Sequence, residues 1–164
     1  MVKAQVSTEL LITIAFAVAV ILPVIFLVYL QVSNSSQQIA IAQAENTAKR
    51  IKNAIDIVGA MGPPAKMNLL ISVPQNTEKI IIGQEASGGS SITSGREVVI
   101  RVLTPSGKSD VVALTLVPTK WADSTYAERF SKSGTYHLTI EAMDDAGTCG
   151  ASTPRCVVVY PPFG

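Results

Sequence analysis

The sequence predicts an α+β chain, with a long apolar helix at the N-terminus followed by an antiparallel β-sandwich. Three observations carry this. Leu10 to Leu30 is a run of 21 residues, LLITIAFAVAVILPVIFLVYL, interrupted only by Thr13 and Pro23. Beyond it, Ile41, Ala44, Ala48, Ile51, Ile55 and Val58 recur at alternating three- and four-residue spacings, the seam of an amphipathic helix. From Met61 to Gly164 the pattern changes to short β-branched runs separated by turn residues.

Composition narrows the function classes. A chain of 164 residues and 17.3 kDa suits one modest domain, or a small domain with an appendage. Thirteen Lys and Arg against twelve Asp and Glu leave a net charge of +1, so no single-sign field draws the chain to nucleic acid. Hydrophobic residues at 48% and charged residues at 15% are the reverse of a disordered composition. One His and two Cys are too few for most metal sites, and no cofactor is expected. The charge is unevenly placed. Lys3 and Glu9 are the only charged side chains before Glu45.

The apolar run comes first. As a helix it is about 31 Å long, the thickness of a bilayer's hydrocarbon core. A small domain has no room to enclose a helix apolar on every side, so the run must meet lipid or other copies of itself. It exceeds the apolar stretch of an ordinary secretory signal, and Val28-Tyr29-Leu30-Gln31-Val32 offers no small-x-small cleavage site. The run is therefore expected to stay in the mature protein. Lys3 lies before it, and Gln31 to Ala44 after it carries no charge. The positive-inside rule places the first residues in the cytoplasm and the bulk of the chain outside.

The entry to this run is Lys3-Ala4-Gln5-Val6-Ser7-Thr8-Glu9-Leu10-Leu11. A carboxylate at Glu9 is costly at the edge of a membrane helix, unless it sits at headgroup depth and favours the helix N-terminus. Taken whole, the cluster resembles the class III signal peptide of archaeal type IV pilin-like proteins. That family has a short basic leader, a small residue, then Q-x-S-x-E leading directly into an apolar helix. The resemblance covers about 30 residues. It implies a processing motif of Lys3, Gln5, Ser7 and Glu9, with a prepilin peptidase cutting between Ala4 and Gln5. The leader, residues 1–4, would leave, and the helix would stay attached to the outer domain. The resemblance further implies a homopolymer built with a pilus assembly ATPase and a membrane platform. Glu9 would then be neutralised in the filament by the new amino group of an adjacent subunit, since a buried charge needs a partner. Related archaellins share the processing logic but generally lack this entry, so an adhesion-type pilus is the favoured reading.

The helix is expected to continue to about residue 60. Pro23 removes one backbone hydrogen bond and should bend or loosen it. Gln31 to Gln38, QVSNSSQQ, lowers helix propensity and carries the sequon Asn34-Ser35-Ser36, a candidate N-glycosylation site at Asn34 unless masked by membrane or filament. The seam from Ile41 to Val58 packs on the chain's own β-domain or against neighbouring subunits, and a helix has faces for both. Glu45 and Lys49 form an i,i+4 pair, and Gly59, Gly62 and Pro63-Pro64 end the helix.

Residues 61–164 read as one β-domain. The expected strands are Met67 to Val73, Lys79 to Ile82, Glu97 to Leu103, Val111 to Val117, Thr135 to Ala142 and Cys156 to Tyr160. Alternation groups Val98, Ile100 and Val102 on one face, and likewise Val112, Leu114 and Leu116. Thr104 to Gly107 and Asp144 to Gly147 are turns. Gly134-Thr135-Tyr136-His137-Leu138-Thr139-Ile140-Glu141-Ala142 resembles the penultimate strand of many immunoglobulin-like domains, which implies a corner hydrogen bond for Tyr136 and a structural role. Trp121 either fills the core or lies on a loop, with packing favoured. Outside the cytoplasm, Cys149 and Cys156 are expected to form a disulfide. The alternative, a C-x6-C metal site, lacks further ligands.

No catalytic cluster emerges. His137 alternates away from the core, no Ser sits in a G-x-S-x-G elbow, and Gly88-Gly89-Ser90-Ser91 lacks the lysine of a phosphate loop. The expectation is a non-enzymatic pilin: residues 1–4 leader, 5–60 membrane anchor and filament core, 61–164 immunoglobulin-like head at the cell surface. The competing expectation is a single-pass membrane protein presenting a binding domain without polymerising.

Overall fold

A computed structural model describes residues 2–85, 92–105, 107–149 and 155–161, with side chains from residue 8 onward except at 33, 34, 36, 92 and 146. Helix α1 spans Val2–Met61, and its helical assignment runs unbroken through Pro23 and the Ser-rich stretch. Six strands follow: β1 Lys66–Val73, β2 Thr77–Glu85, β3 Ile92–Thr104, β4 Gly107–Trp121, β5 Gly134–Met143 and β6 Cys156–Tyr160. A 3-10 helix, Ser124–Phe130, separates β4 from β5, and the short helix α2, Ala146–Cys149, precedes β6. The chain divides into two compact units, Met1–Gln38 and Ile39–Gly164.

In the second unit the strands form one sheet in the order β1-β5-β6-β4-β3-β2. All pairs are antiparallel except β4 with β6, where Thr119 to Trp121 run parallel to Val157 to Val159. This corrects the expectation of a purely antiparallel domain. The physical reason lies in β6, whose residues Cys156 to Val159 are all buried, so both of its faces need cover. Such a strand belongs inside a sheet. It pairs antiparallel with β5, and that direction makes it parallel to β4. Nor is a second sheet needed to complete a sandwich, because the apolar face is covered by the second part of α1. Ala44, Ala48, Ile51, Ile55 and Val58 of the predicted seam are buried in one cluster with Ile71, Ile80, Val98, Ile100, Leu138 and Ile140. Ile41 is only half-buried, and Ala40, Thr47 and Ala54 complete the face. The seam thus packs on the chain's own sheet.

Small residues set how closely helix and sheet approach. Ala44 and Ala48 are fully buried, and a Cβ on Gly59 would come within 2.5 Å of a Val117 methyl carbon. The helix ends where expected. Gly62 adopts φ +74° and donates its N–H to the Val58 carbonyl at 3.1 Å, leaving Pro63-Pro64 to lead into β1.

Two polar side chains of α1 complete the contact. Thr47 Oγ1 donates to the Ser72 carbonyl of β1 at 2.7 Å. Asp56 Oδ1 accepts the Leu116 N–H of β4 at 2.7 Å, and its other oxygen holds Lys52 at 2.8 Å. The β3–β4 ladder is irregular at this point. Glu97 pairs with Leu114 and Gly95 with Thr119, so four β4 residues, Thr115 to Pro118, face the single β3 residue Arg96. An amide released from its ladder needs another acceptor, and Asp56 provides it. Asp56→Ala is expected to cost about 0.5–1.5 kcal/mol, the usual net worth of a hydrogen bond that solvent can reach. The shift of the urea midpoint at unchanged m-value measures it.

Candidate membrane and assembly segment

Among the described residues, α1 is the one helix long and apolar enough to cross a membrane, and its most apolar window is entirely unburied. Phe16 is 73% exposed, Ile12 70%, Leu22 61% and Val20 51%, so the run presents apolar side chains in every direction rather than one face. A surface of this kind is incompatible with water and requires lipid or protein around it. Glu9 at its entry is exposed, and Thr13 Oγ1 donates to the Glu9 carbonyl at 2.8 Å, the back-bond a threonine makes inside a helix. The backbone from Val2 is helical, whereas the side chains of Lys3, Ala4, Gln5 and Ser7 and of Asn34 lie outside the described residues.

The other predicted residues fall in the second unit. Cys149 and Cys156 form the disulfide, buried with Val158 beneath Met143 and Tyr160. Asp145 turns the chain into α2, its carboxylate accepting from Gly147 N, Thr148 N and Thr148 Oγ1. These bonds hold its pKa below the ordinary carboxylate value, Thr148 contributing most. Neighbouring Asp144 pairs with Arg155. His137 is exposed on β5, opposite Leu70 of β1. Tyr136 makes the expected corner bond, its hydroxyl donating to the Lys132 carbonyl at 3.0 Å. Trp121 is buried. Its Nε1 donates to the Ile80 carbonyl at 2.9 Å, and its ring stacks on Phe130 at 5.3 Å.

Val112, Leu114 and Leu116 do share a face, but it is the solvent face, with Leu116 75% exposed. Register decides this. Ile100 and Val98 lie opposite Val111 and Ala113, so the smaller side chains of β4 join the core. The same outer face carries a charged ladder that the sequence reading missed. Arg101 grips Asp110 through two bonds, Nε to Oδ1 at 2.7 Å and Nη2 to Oδ2 at 2.8 Å, while Glu85 pairs with both Arg101 and Lys79. The stems of these side chains flank Ile81 and Val99, which are buried although they face outward.

The Arg101 hydrogen bond holds the Asp110 carboxyl below its ordinary range. A depressed folded pKa stabilises above the unfolded value, and that stabilisation is lost as pH falls through the folded one. The thermal midpoint of Asp110→Asn is therefore expected to lie below wild type at neutral pH and to converge with it in acid, below about pH 4. A midpoint difference that stayed constant across the titration would show that Asp110 contributes through packing alone.

Among the described residues, no three His, Cys, Asp or Glu side chains are grouped to hold an ion. What the chain does offer is a membrane-length apolar segment joined in sequence to a β-sheet domain. Comparison with family models, curated proteins and solved structures gives no match to this chain.

Proposed function

We propose that this chain is the structural subunit of an archaeal type IV pilus-like surface filament, cut between Ala4 and Gln5 and polymerised through its N-terminal helix. The observation that carries the reading is the Leu10–Leu30 run, exposed on all sides and entered through Gln5-x-Ser7-x-Glu9. Lipid covers the run before assembly, and sister helices replace the lipid afterwards. In that dry interior Glu9 needs a cation, and the amino group freed by cleavage of a neighbouring subunit supplies one. The prepilin peptidase, assembly ATPase and membrane platform of such systems are the implied partners. The head would lie outside the cell and serve adhesion, and its disulfide suits that compartment. Support for an immunoglobulin-like character of the head is local, the corner bond of Tyr136.

Electron microscopy of the purified protein tests this reading. Helical filaments are expected, with lower yield for Glu9→Ala. Dispersed single-pass molecules would favour the alternative of a membrane-anchored binding protein, and full filament yield from Glu9→Ala would remove its assembly role.

A further inference from the structure

Most described lysines and arginines hold a carboxylate: Lys49 with Glu45, Lys66 with Glu141, Arg101 with Asp110 and Lys108 with Glu78 are examples. Arg129 and Lys132 do not, yet both line one cavity of about 390 Å³ at the end of the 3-10 helix. Phe130, Tyr136, Pro161 and the carboxylate-bearing Glu128 also line it. The cavity is within the range of small-molecule sites, which pair apolar walls with a few convergent polar groups.

The Arg129 guanidinium, the aromatic wall and the backbone that carries Lys132 are held by the fold. Asp123 caps the 3-10 helix, its Oδ1 accepting the Thr125 N–H at 2.9 Å. Arg129 lies over the Tyr126 ring, 5.0 Å from its centroid, which restrains the guanidinium. Tyr136 is fixed by its bond to the Lys132 carbonyl and by an edge-on contact with Phe130 at 5.0 Å. Lys132 therefore sits on the turn that Tyr136 pins.

We propose that this cavity binds an acidic saccharide, with a sugar carboxylate between Arg129 and Lys132. The planar guanidinium matches a carboxylate's two oxygens, and the ammonium adds a point charge. Tyr136 and Pro161 form an apolar wall for the C–H face of the sugar ring, and Glu128 accepts its hydroxyls. The proposal rests on the adhesion reading only in that the head must face the outside, and it gives that adhesion a ligand class.

Titration of the full chain in detergent micelles tests it without requiring filaments. The probes are digalacturonate, its neutral methyl ester, and inorganic phosphate, followed by calorimetry. Digalacturonate is expected to bind at least about tenfold more tightly than either control, with Arg129→Gln and Lys132→Gln each losing about tenfold. Arg50→Gln, a cation outside the cavity, leaves binding unchanged. Equal binding of phosphate would reduce the site to a simple anion trap and overturn the proposal. Equal binding of the methyl ester, no binding of digalacturonate, or binding indifferent to both variants would also overturn it. Filaments imaged from the same preparation judge the assembly reading separately, so either can fail alone.

Discussion

Ile51→Ala is expected to destabilise the sheet domain by about 2–5 kcal/mol, as large-to-small changes in a closed core do. Ile51 is fully buried at the centre of the seam between α1 and the sheet. Its neighbours cannot close the gap easily, because Ala48 and Ala54 on either side are already small and buried. The cavity term should therefore stay near its full size. Chemical denaturation followed by Trp121 fluorescence reads the loss, since that ring is buried in the same cluster. Ile57 on the same helix is 46% exposed, and Ile57→Ala is expected to change stability by no more than about 0.5 kcal/mol. Similar losses at both positions would contradict packing of this helix face on the sheet.

Val20→Asp carries the second large effect. Val20 lies in the middle of the apolar run, where a carboxylate costs about 2.5–3.5 kcal/mol on insertion scales. That is a drop of roughly a hundredfold in the inserted-to-uninserted ratio, read as the fraction of chain retained in alkali-washed membranes. Gln31→Asp, just beyond the run, should leave retention nearly unchanged. Equal retention of the two variants would show that the run does not lie across the bilayer.

Both substitutions act on features that the sequence displays directly. The apolar run is a matter of length, and the seam from Ala44 to Val58 is a matter of period. The strands from Met67 to Tyr160 follow from alternation and turn residues, and each falls inside an observed strand, β2 to β4 extending furthest beyond it. What alternation cannot supply is the choice of face. Val111 to Val117 has apolar residues on both sides, and the larger set, Val112, Leu114 and Leu116, reads as the core. Pairing with β3 gives the core to Val111 and Ala113 instead. Strand order is equally non-local. Val157-Val158-Val159 has no alternation, a sign of burial on both faces, but only the sheet reveals β4 as its parallel neighbour. Asp56 pairs locally with Lys52 at i,i+4. Its bond to Leu116 joins positions 60 residues apart and left no local trace. Lys3, Ala4, Gln5, Ser7 and Glu9 pose the opposite case, where the proposed processing motif lies in a short stretch of sequence and the fold adds a helical backbone and an exposed Glu9.

The mass of the mature N-terminal peptide from surface-located protein tests the proposed cleavage at that motif directly. A peptide beginning at Gln5, with Leu10 to Leu30 still attached, is the predicted result. A chain that keeps Met1 to Ala4, or one that begins beyond about Gln31 with the apolar run gone, would contradict it.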